Sequence, residues 1–339
     1  MKKGVLLVNL GSPDSTETKD VKKYLDEFLM DERVIDLPYL LRALLVKGII
    51  LNTRPKKSAK AYKKIWWPEG SPLIVLSKRL QTNLQKKVSL PVELAMRYGN
   101  PSIEHGLTQL NNQGVDEVLL LPLYPQFAMA TTETIVVLAE KIKKEKFPTM
   151  KLEILPAFYN KKDYIKNLAD SIQDSLQNFK SDYILFSYHG VPERHIRKSD
   201  VTKSHCQINN TCCVTPSEAH DFCYRHQCLE TTRQVAEVLG LEEGKFSTSF
   251  QSRLGRDPWL QPYTDATIDG LAQKGIKKLA VVTPAFVSDC LETLEEIGME
   301  AAESFKENGG EHFLSIPCLN DREDWVHTLT SWVQEFEKK

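Results

Sequence analysis

Three groups of side chains have types and spacings suited to chemistry. His189 sits in Leu185-Phe186-Ser187-Tyr188-His189-Gly190-Val191-Pro192, directly after an apolar run and held by Gly and Pro. A neutral imidazole on such a stiff turn can take a proton at pH 7. The plain alternative is a structural histidine beside a turn. Asp289, Glu292, Glu296 and Glu300 are spaced 3, 4 and 4 apart, which places four carboxylates on one helical stripe. Like charges stacked this way need solvent, partial protonation or counter-cations. A solvated acidic face is the ordinary explanation, but Asp289 and Glu292 follow a predicted strand and its loop, where ligands sit. A carboxylate ladder there suits the passage of divalent cations or protons. Arg54, Tyr62 and the loop Tyr124-Pro125-Gln126-Phe127-Ala128-Met129-Ala130-Thr131-Thr132 mix a cation, hydroxyls and apolar surface. That mixture suits a large flat ligand edged with carboxylates, although Arg and Tyr occur on every surface.

The cysteines are unevenly placed. Five of the seven, Cys206, Cys212, Cys213, Cys223 and Cys228, fall within 23 residues of one another. In a reducing compartment such clustering favours metal binding over disulfides. Four thiolates suit Zn²⁺ or an iron–sulfur cluster, and His205, His220 and His226 keep zinc open. Unligated reduced thiols are the plain alternative.

These groups need elements to hold them. A chain of 339 residues predicts about two domains at about 150 residues each. Lys plus Arg is 44 against 45 for Asp plus Glu, and a nucleic-acid binder would show a basic excess. The start, Met1-Lys2-Lys3 and then Gly4–Leu10, is too short in its apolar part for a signal peptide, and Asn9 interrupts it. No apolar run approaches the roughly 20 residues that span a bilayer. A cytoplasmic, soluble chain is therefore expected. Short apolar runs alternate with amphipathic segments throughout, which predicts α/β architecture with parallel sheets. Strands are predicted at Val5–Asn9, Val92–Tyr98, Glu117–Pro122, Leu152–Pro156, Tyr183–Tyr188, Lys245–Gln251, Lys278–Thr283 and Phe313–Pro317. Helices are predicted over Val21–Met30, Pro72–Lys87, Ile135–Lys146, Asp163–Asn178 and Thr231–Leu239, with Ser71 as an N-cap before Pro72.

The two halves echo each other. Gly114–Pro122 and Gly275–Pro284 both run from turn glycine through apolar strand to proline, and Leu6–Gly11 parallels Leu185–Gly190. Two similar doubly wound, Rossmann-like domains follow, 1–155 and 156–339, with a shared cleft as the expected site. Ligands in such sheets bind beyond the carboxyl ends of the strands. The loops to inspect are therefore 11–15, 98–101, 124–132, 189–194, 251–259 and 286–300.

In this order and spacing, the segments resemble the ferrochelatase family over nearly the whole chain. The resemblance rests on Leu7-Val8-Asn9-Leu10-Gly11-Ser12-Pro13, Tyr24–Asp31, Thr53-Arg54-Pro55, Gly70-Ser71-Pro72-Leu73, Met96-Arg97-Tyr98 and Leu123-Tyr124-Pro125-Gln126. In the second half it rests on Phe186–Pro192, Phe250-Gln251-Ser252, Asp257-Pro258-Trp259-Leu260 and Phe286–Leu294. The resemblance implies two Rossmann-like domains around a porphyrin cleft and insertion of Fe²⁺ into protoporphyrin IX, with release of two protons. It implies His189 and Glu292 as catalytic, and Asp289, Glu296 and Glu300 as the metal or proton path. It also implies Met30, Arg54, Tyr62, Ser71, Tyr124, Thr131 and Trp259 as porphyrin contacts. The apolar stretch 28–51 matches a hydrophobic lip, which implies peripheral contact with the inner face of a membrane. Cys290 departs from the pattern, standing where many relatives have histidine, so a mechanism with two imidazoles there is in doubt.

Residues 205–228 look like an insertion after the His189 motif. Some members of the family carry a [2Fe-2S] cluster on internal cysteines, which implies such a cluster on four of the five, with zinc as the alternative. Cys228 resembles a cysteine of relatives whose loop lacks the others. The competing functions are a chelatase for another metal or tetrapyrrole, coproporphyrin included, and a non-catalytic porphyrin or haem carrier. An iron–sulfur redox sensor is a third. The Asn9-Leu10-Gly11 pattern looks more like the branch that uses protoporphyrin.

Overall fold

The computed structural model describes residues 2–209, 211–253, 255 and 257–339. Met1, one position of the Cys-rich insertion (Asn210) and two of the 251–259 loop (Leu254 and Arg256) lie outside the described residues. The chain forms two compact units. One comprises residues 1–123, 129–156 and 320–339, the other 124–128 and 157–319.

The first unit is a parallel sheet of β1 (Lys3–Ser12), β2 (Val92–Gly99), β3 (Glu117–Pro122) and β4 (Lys151–Ile154), in the order β2-β1-β3-β4. Its helices are α1 (Thr18–Leu29), α2 (Tyr39–Leu45), α3 (Leu51–Ile65), α4 (Pro72–Gln85), α5 (Ile103–Asn112) and α6 (Thr134–Lys146). The second unit repeats the order with β5 (Tyr183–His189), β6 (Phe246–Gln251), β7 (Lys278–Val282) and β8 (His312–Ser315), paired as β6-β5-β7-β8. It carries α7 (Lys162–Leu176), α8 (Glu193–Ser199), α9 (Tyr224–Leu239), α10 (Thr264–Gln273) and α11 (Ala302–Glu307). The last helix, α12 (Glu323–Lys338), belongs to the first unit, where Lys3 donates to the Phe336 carbonyl at 2.9 Å.

The continuous apolar run of β1 follows from its place. Val5, Leu6, Leu7 and Val8 are fully buried, as central parallel strands covered on both faces must be. In the second unit Leu185, Leu279 and Val281 pack with Ile268, Ile297 and Phe305 in one core. All eight predicted strands are present, each within two residues at its start. Near its end β1 approaches β2 closely because Gly11 adopts φ +116°, and a Cβ there would lie 1.8 Å from the Tyr98 carbonyl oxygen. Ser71 does precede α4, but its side chain makes no capping bond. Among the described residues no helix is long and apolar enough to cross a membrane.

Gly11→Ala meets both a left-handed backbone and a clash with the neighbouring strand. It is expected to lower unfolding free energy by roughly 3 kcal/mol or more, read by urea denaturation.

Candidate active site

In the second unit the carboxyl end of β5 is fixed on every side. His189, its last residue, pairs with Gln251, the last of β6. The next amide, Gly190, donates to the Gln251 carbonyl at 2.7 Å. Beyond it, Leu260 donates to Val191, and Glu193 to Pro258. Glycine is needed at 190, since a Cβ would sit 2.8 Å from the Gln251 oxygen and 3.2 Å from the Trp259 ring. The buried Tyr224 hydroxyl donates to the His189 carbonyl at 2.8 Å.

The imidazole is half-buried, with Nδ1 2.6 Å from the Gly190 carbonyl oxygen and the Phe286 ring edge-on. A carbonyl only accepts, so Nδ1 carries the proton and Nε2 is left with its lone pair. The turn thus fixes His189 in the tautomer that a base requires.

The acidic residues do not lie on the expected α-helix. Glu292–Ala301 is a π-helix, with hydrogen bonds to the fifth residue, and α11 continues from it. Asp289 precedes it and is buried; its carboxylate accepts from the Thr293 hydroxyl at 2.8 Å and the Cys318 amide at 3.4 Å. Glu292 and Glu296 are half-buried and Glu300 is exposed, so the row of carboxylates reaches solvent at Glu300. Burial pushes the Glu296 carboxyl above its ordinary range and Glu292 adds to this, while Ser252, His189 and Gln251 oppose it. Burial, with Glu292 nearby, also pushes the Cys290 thiol well up, so it is a neutral thiol.

Sequence reasoning gave no role to the polar pair that ends β6. The Ser252 hydroxyl donates to Glu296 Oε2, and Gln251 Nε2 donates to the same oxygen at 3.3 Å and to the Glu292 carbonyl at 3.1 Å. The signal in the sequence is a strand rich in hydroxyl residues that ends in Gln251 and is followed by Ser252. Glu295, on the same π-helix, is buried.

Tyr124 and Trp259 also belong to this unit. Tyr124 is buried, and Trp259 is half-buried with its indole Nε1 lacking a hydrogen-bond partner. The remaining expected contacts lie in the first unit. Met30 follows α1, and Arg54 and Tyr62 lie on α3. Ser71 precedes α4, and Thr131 lies in a short π-helix, Met129–Glu133. Arg54 is half-buried, and its Nη1 is enclosed without a hydrogen-bond partner among the described residues. Ser71 lines a cavity of about 1040 Å³ with Ser12, Trp66 and Gly70, beyond the carboxyl ends of β1 and β2.

Four of the five clustered cysteines meet as a chain of sulfurs. Cys212 and Cys213 are 4.0 Å apart, and Cys223 is in hydrogen-bonding contact with both Cys213 and Cys206. Arg225 Nη1 donates to the Cys213 and Cys212 sulfurs at 3.2 and 3.7 Å. Cys228 lies apart, fully buried on α9, its thiol in hydrogen-bonding contact with the Tyr224 hydroxyl oxygen. Burial raises Cys206, and contact with Cys223 and burial raise Cys213, so both are thiols.

The three histidines brace the backbone of this segment. His205 and His220 approach the Cys212 carbonyl at 2.7 and 3.0 Å, and His226 the Cys213 carbonyl at 2.7 Å. Asp200 ties down the entry, accepting from the Cys206 and Thr202 amides, which hold its carboxyl down at about 2 against the cost of burial. Among the described residues no three His, Cys, Asp or Glu side chains are arranged around one metal ion.

Comparison with known proteins bears on this geometry. The ferrochelatase family profile matches residues 2–337. The ferrochelatase of Pseudomonas syringae pv. tomato is 51% identical over 326 residues, 96% of this chain and 95% of that protein. That of Azotobacter vinelandii is 51% identical over 327 residues, 96% of each. The solved structure of SirB from Bacillus subtilis with Fe³⁺ superposes with a TM-score of 0.57 at 13% identity, covering 99% of this chain and 95% of that one. At that identity it supports the chelatase fold alone.

Proposed function

The chain belongs to the ferrochelatase family, and we propose that His189 is the base through which it inserts Fe²⁺ into protoporphyrin IX. The observation that carries this reading is the fixed tautomer: Nδ1–H is held by the Gly190 carbonyl and Nε2 is left as acceptor. Free-base porphyrin carries two pyrrole N–H protons, and both must leave as the metal enters. Nε2 takes a proton from a pyrrole nitrogen, and the row of carboxylates from Glu292 through Glu296 to exposed Glu300 leads protons outward. Asp289, engaged with Thr293 and Cys318, fixes the entry to the π-helix. Arg54 offers its enclosed Nη1 to a propionate, with Ser71, Tyr62, Tyr124, Thr131, Met30 and Trp259 as the other porphyrin contacts. Binding energy from ring and propionates offsets the strain of bending the macrocycle to expose its nitrogens.

The cysteine segment suits a [2Fe-2S] cluster held by Cys206, Cys212, Cys213 and Cys223. Four thiols already in contact are the donor set it requires, and such a cluster takes them two per iron. The Arg225 N–H groups aimed at two of the sulfurs suit thiolates better than thiols. Cys228 is left to the core. When bound, the cluster supplies one-electron chemistry and ties the segment together.

The lip supports peripheral binding to an anionic membrane surface. Tyr39, Leu40, Leu44 and Ile49 are 60–79% exposed. Residues 37–68 contain eight Lys or Arg and no acid. Exposed apolar tips beside a run of cations are the chemistry of an interfacial helix.

Three measurements test these readings. In anaerobic incubation with Fe²⁺ and protoporphyrin, loss of free-base fluorescence is expected to be fast, and at least roughly 100-fold slower in His189→Ala with porphyrin binding retained. Unchanged rates in the variant would remove His189 as the base. Protein purified without oxygen is expected to be red-brown, with two irons and two acid-labile sulfides per chain; colourless protein with stoichiometric zinc would replace the cluster with a zinc site. On flotation, the protein is expected to travel with phosphatidylglycerol vesicles and Leu40→Asp/Leu44→Asp to stay behind. Equal recovery of both would exclude the lip as the contact.

A further inference from the structure

We propose that Ser252 is a positioning residue for metal insertion, holding the Glu296 carboxylate beside His189 at the expense of its own backbone comfort. The inference rests on the reading of Glu296 as a proton carrier.

Among described non-glycine residues only Lys203, Ile208, Ser252 and Asn320 have positive φ, and Ser252 alone of these contacts the candidate active site, at φ +65°. A left-handed serine is unfavourable in isolation and persists only where its surroundings hold it. Here the holding is visible. Gln251 is fixed by its pairing with His189, and its Oε1 accepts from Ser187 Oγ at 2.8 Å. Ser187 and Ser249 in turn both bond Thr264 Oγ1 at 2.8 Å. From that buried hydroxyl network the chain turns left-handed for one residue, which delivers the Ser252 hydroxyl onto Glu296 Oε2. The Gln251 amide reaches the same oxygen and the Glu292 carbonyl.

One carboxylate oxygen is thus gripped by two donors from the end of β6. The charged and titratable groups facing Glu296 are His189 from β5 and Glu292 from its own π-helix. Without the hydroxyl, Glu292 repels Glu296 and only the longer Gln251 contact restrains it. A proton acceptor that wanders loses rate and leaves substrate binding intact.

The strain gives a test that separates positioning from folding. Ser252→Gly removes the hydroxyl and also relieves the left-handed backbone. Ser252→Thr keeps the hydroxyl but places a β-branched residue at positive φ. In the full chain, with Fe²⁺ and protoporphyrin, kcat of the glycine variant is expected to fall roughly tenfold, with KM for porphyrin within about twofold of the parent. The threonine variant is expected to keep most of kcat while melting at the lower temperature of the two. A glycine variant at full kcat, or a threonine variant as slow as the glycine one, would overturn the proposal. Glu296→Gln is assayed alongside: full activity in that variant would overturn the underlying reading of Glu296, whatever Ser252 does.

Discussion

The pairing of His189 with Gln251 across β5 and β6 governs the site of the second unit. A parallel ladder carried to the last residue of both strands leaves no freedom where the chain departs. Gly190 must follow without a side chain, because the Gln251 carbonyl and the Trp259 ring occupy that space. The imidazole then folds back onto the Gly190 carbonyl and its tautomer is set. On the other strand, Gln251 and Ser252 reach the π-helix. Shifting this register by one residue would turn His189 to the opposite face of the sheet and remove base, amide and hydroxyl together.

The repeated strand order explains why one edge of each sheet gathers the functional groups. In both units the first strand is central, flanked by the second on one side and the third on the other. Parallel strands end at the same edge, so chain departures from β5, β6 and β7 cluster there without long loops. The first unit does the same with Ser12 at the end of β1 and Asn100 after β2, both lining the cavity beside Ser71.

Much of this is legible in the residues. Buried parallel strands write themselves as unbroken apolar runs, which is why Glu117–Pro122 matches its prediction at both ends. His189 is legible because an apolar strand leads to it and Gly190 and Pro192 follow it. The 3-4-4 acidic spacing reads as an α-helix, since residues four apart share a face in either helix and composition does not separate the two. Asp289 leaves that stripe because Thr293 and the Cys318 amide satisfy it locally, a tertiary fact no spacing encodes. Ser252 stands out in the sequence only as part of a motif, because a left-handed serine cannot be read where no glycine marks the turn. The cysteine contacts are half legible: proximity in sequence gathers five sulfurs, while packing on α9 withdraws Cys228.

The last helix ties the order of synthesis to the order of folding. Residues 320–339 complete the unit that contains β1, with Lys3 bonded to the Phe336 carbonyl, Ser89 to Glu337 and Lys339 ion-paired with Glu153. A ribosome releases the first 156 residues long before that helix exists. The first unit therefore emerges without the helix that packs on α4 and waits through the making of the whole second unit. The buried face of α12 carries Trp325, Leu329, Trp332 and Phe336, and the helix packs against α4. For this chain, nascent-chain protection is a matter of timing, and the segment that ends the wait is made only after the whole second unit.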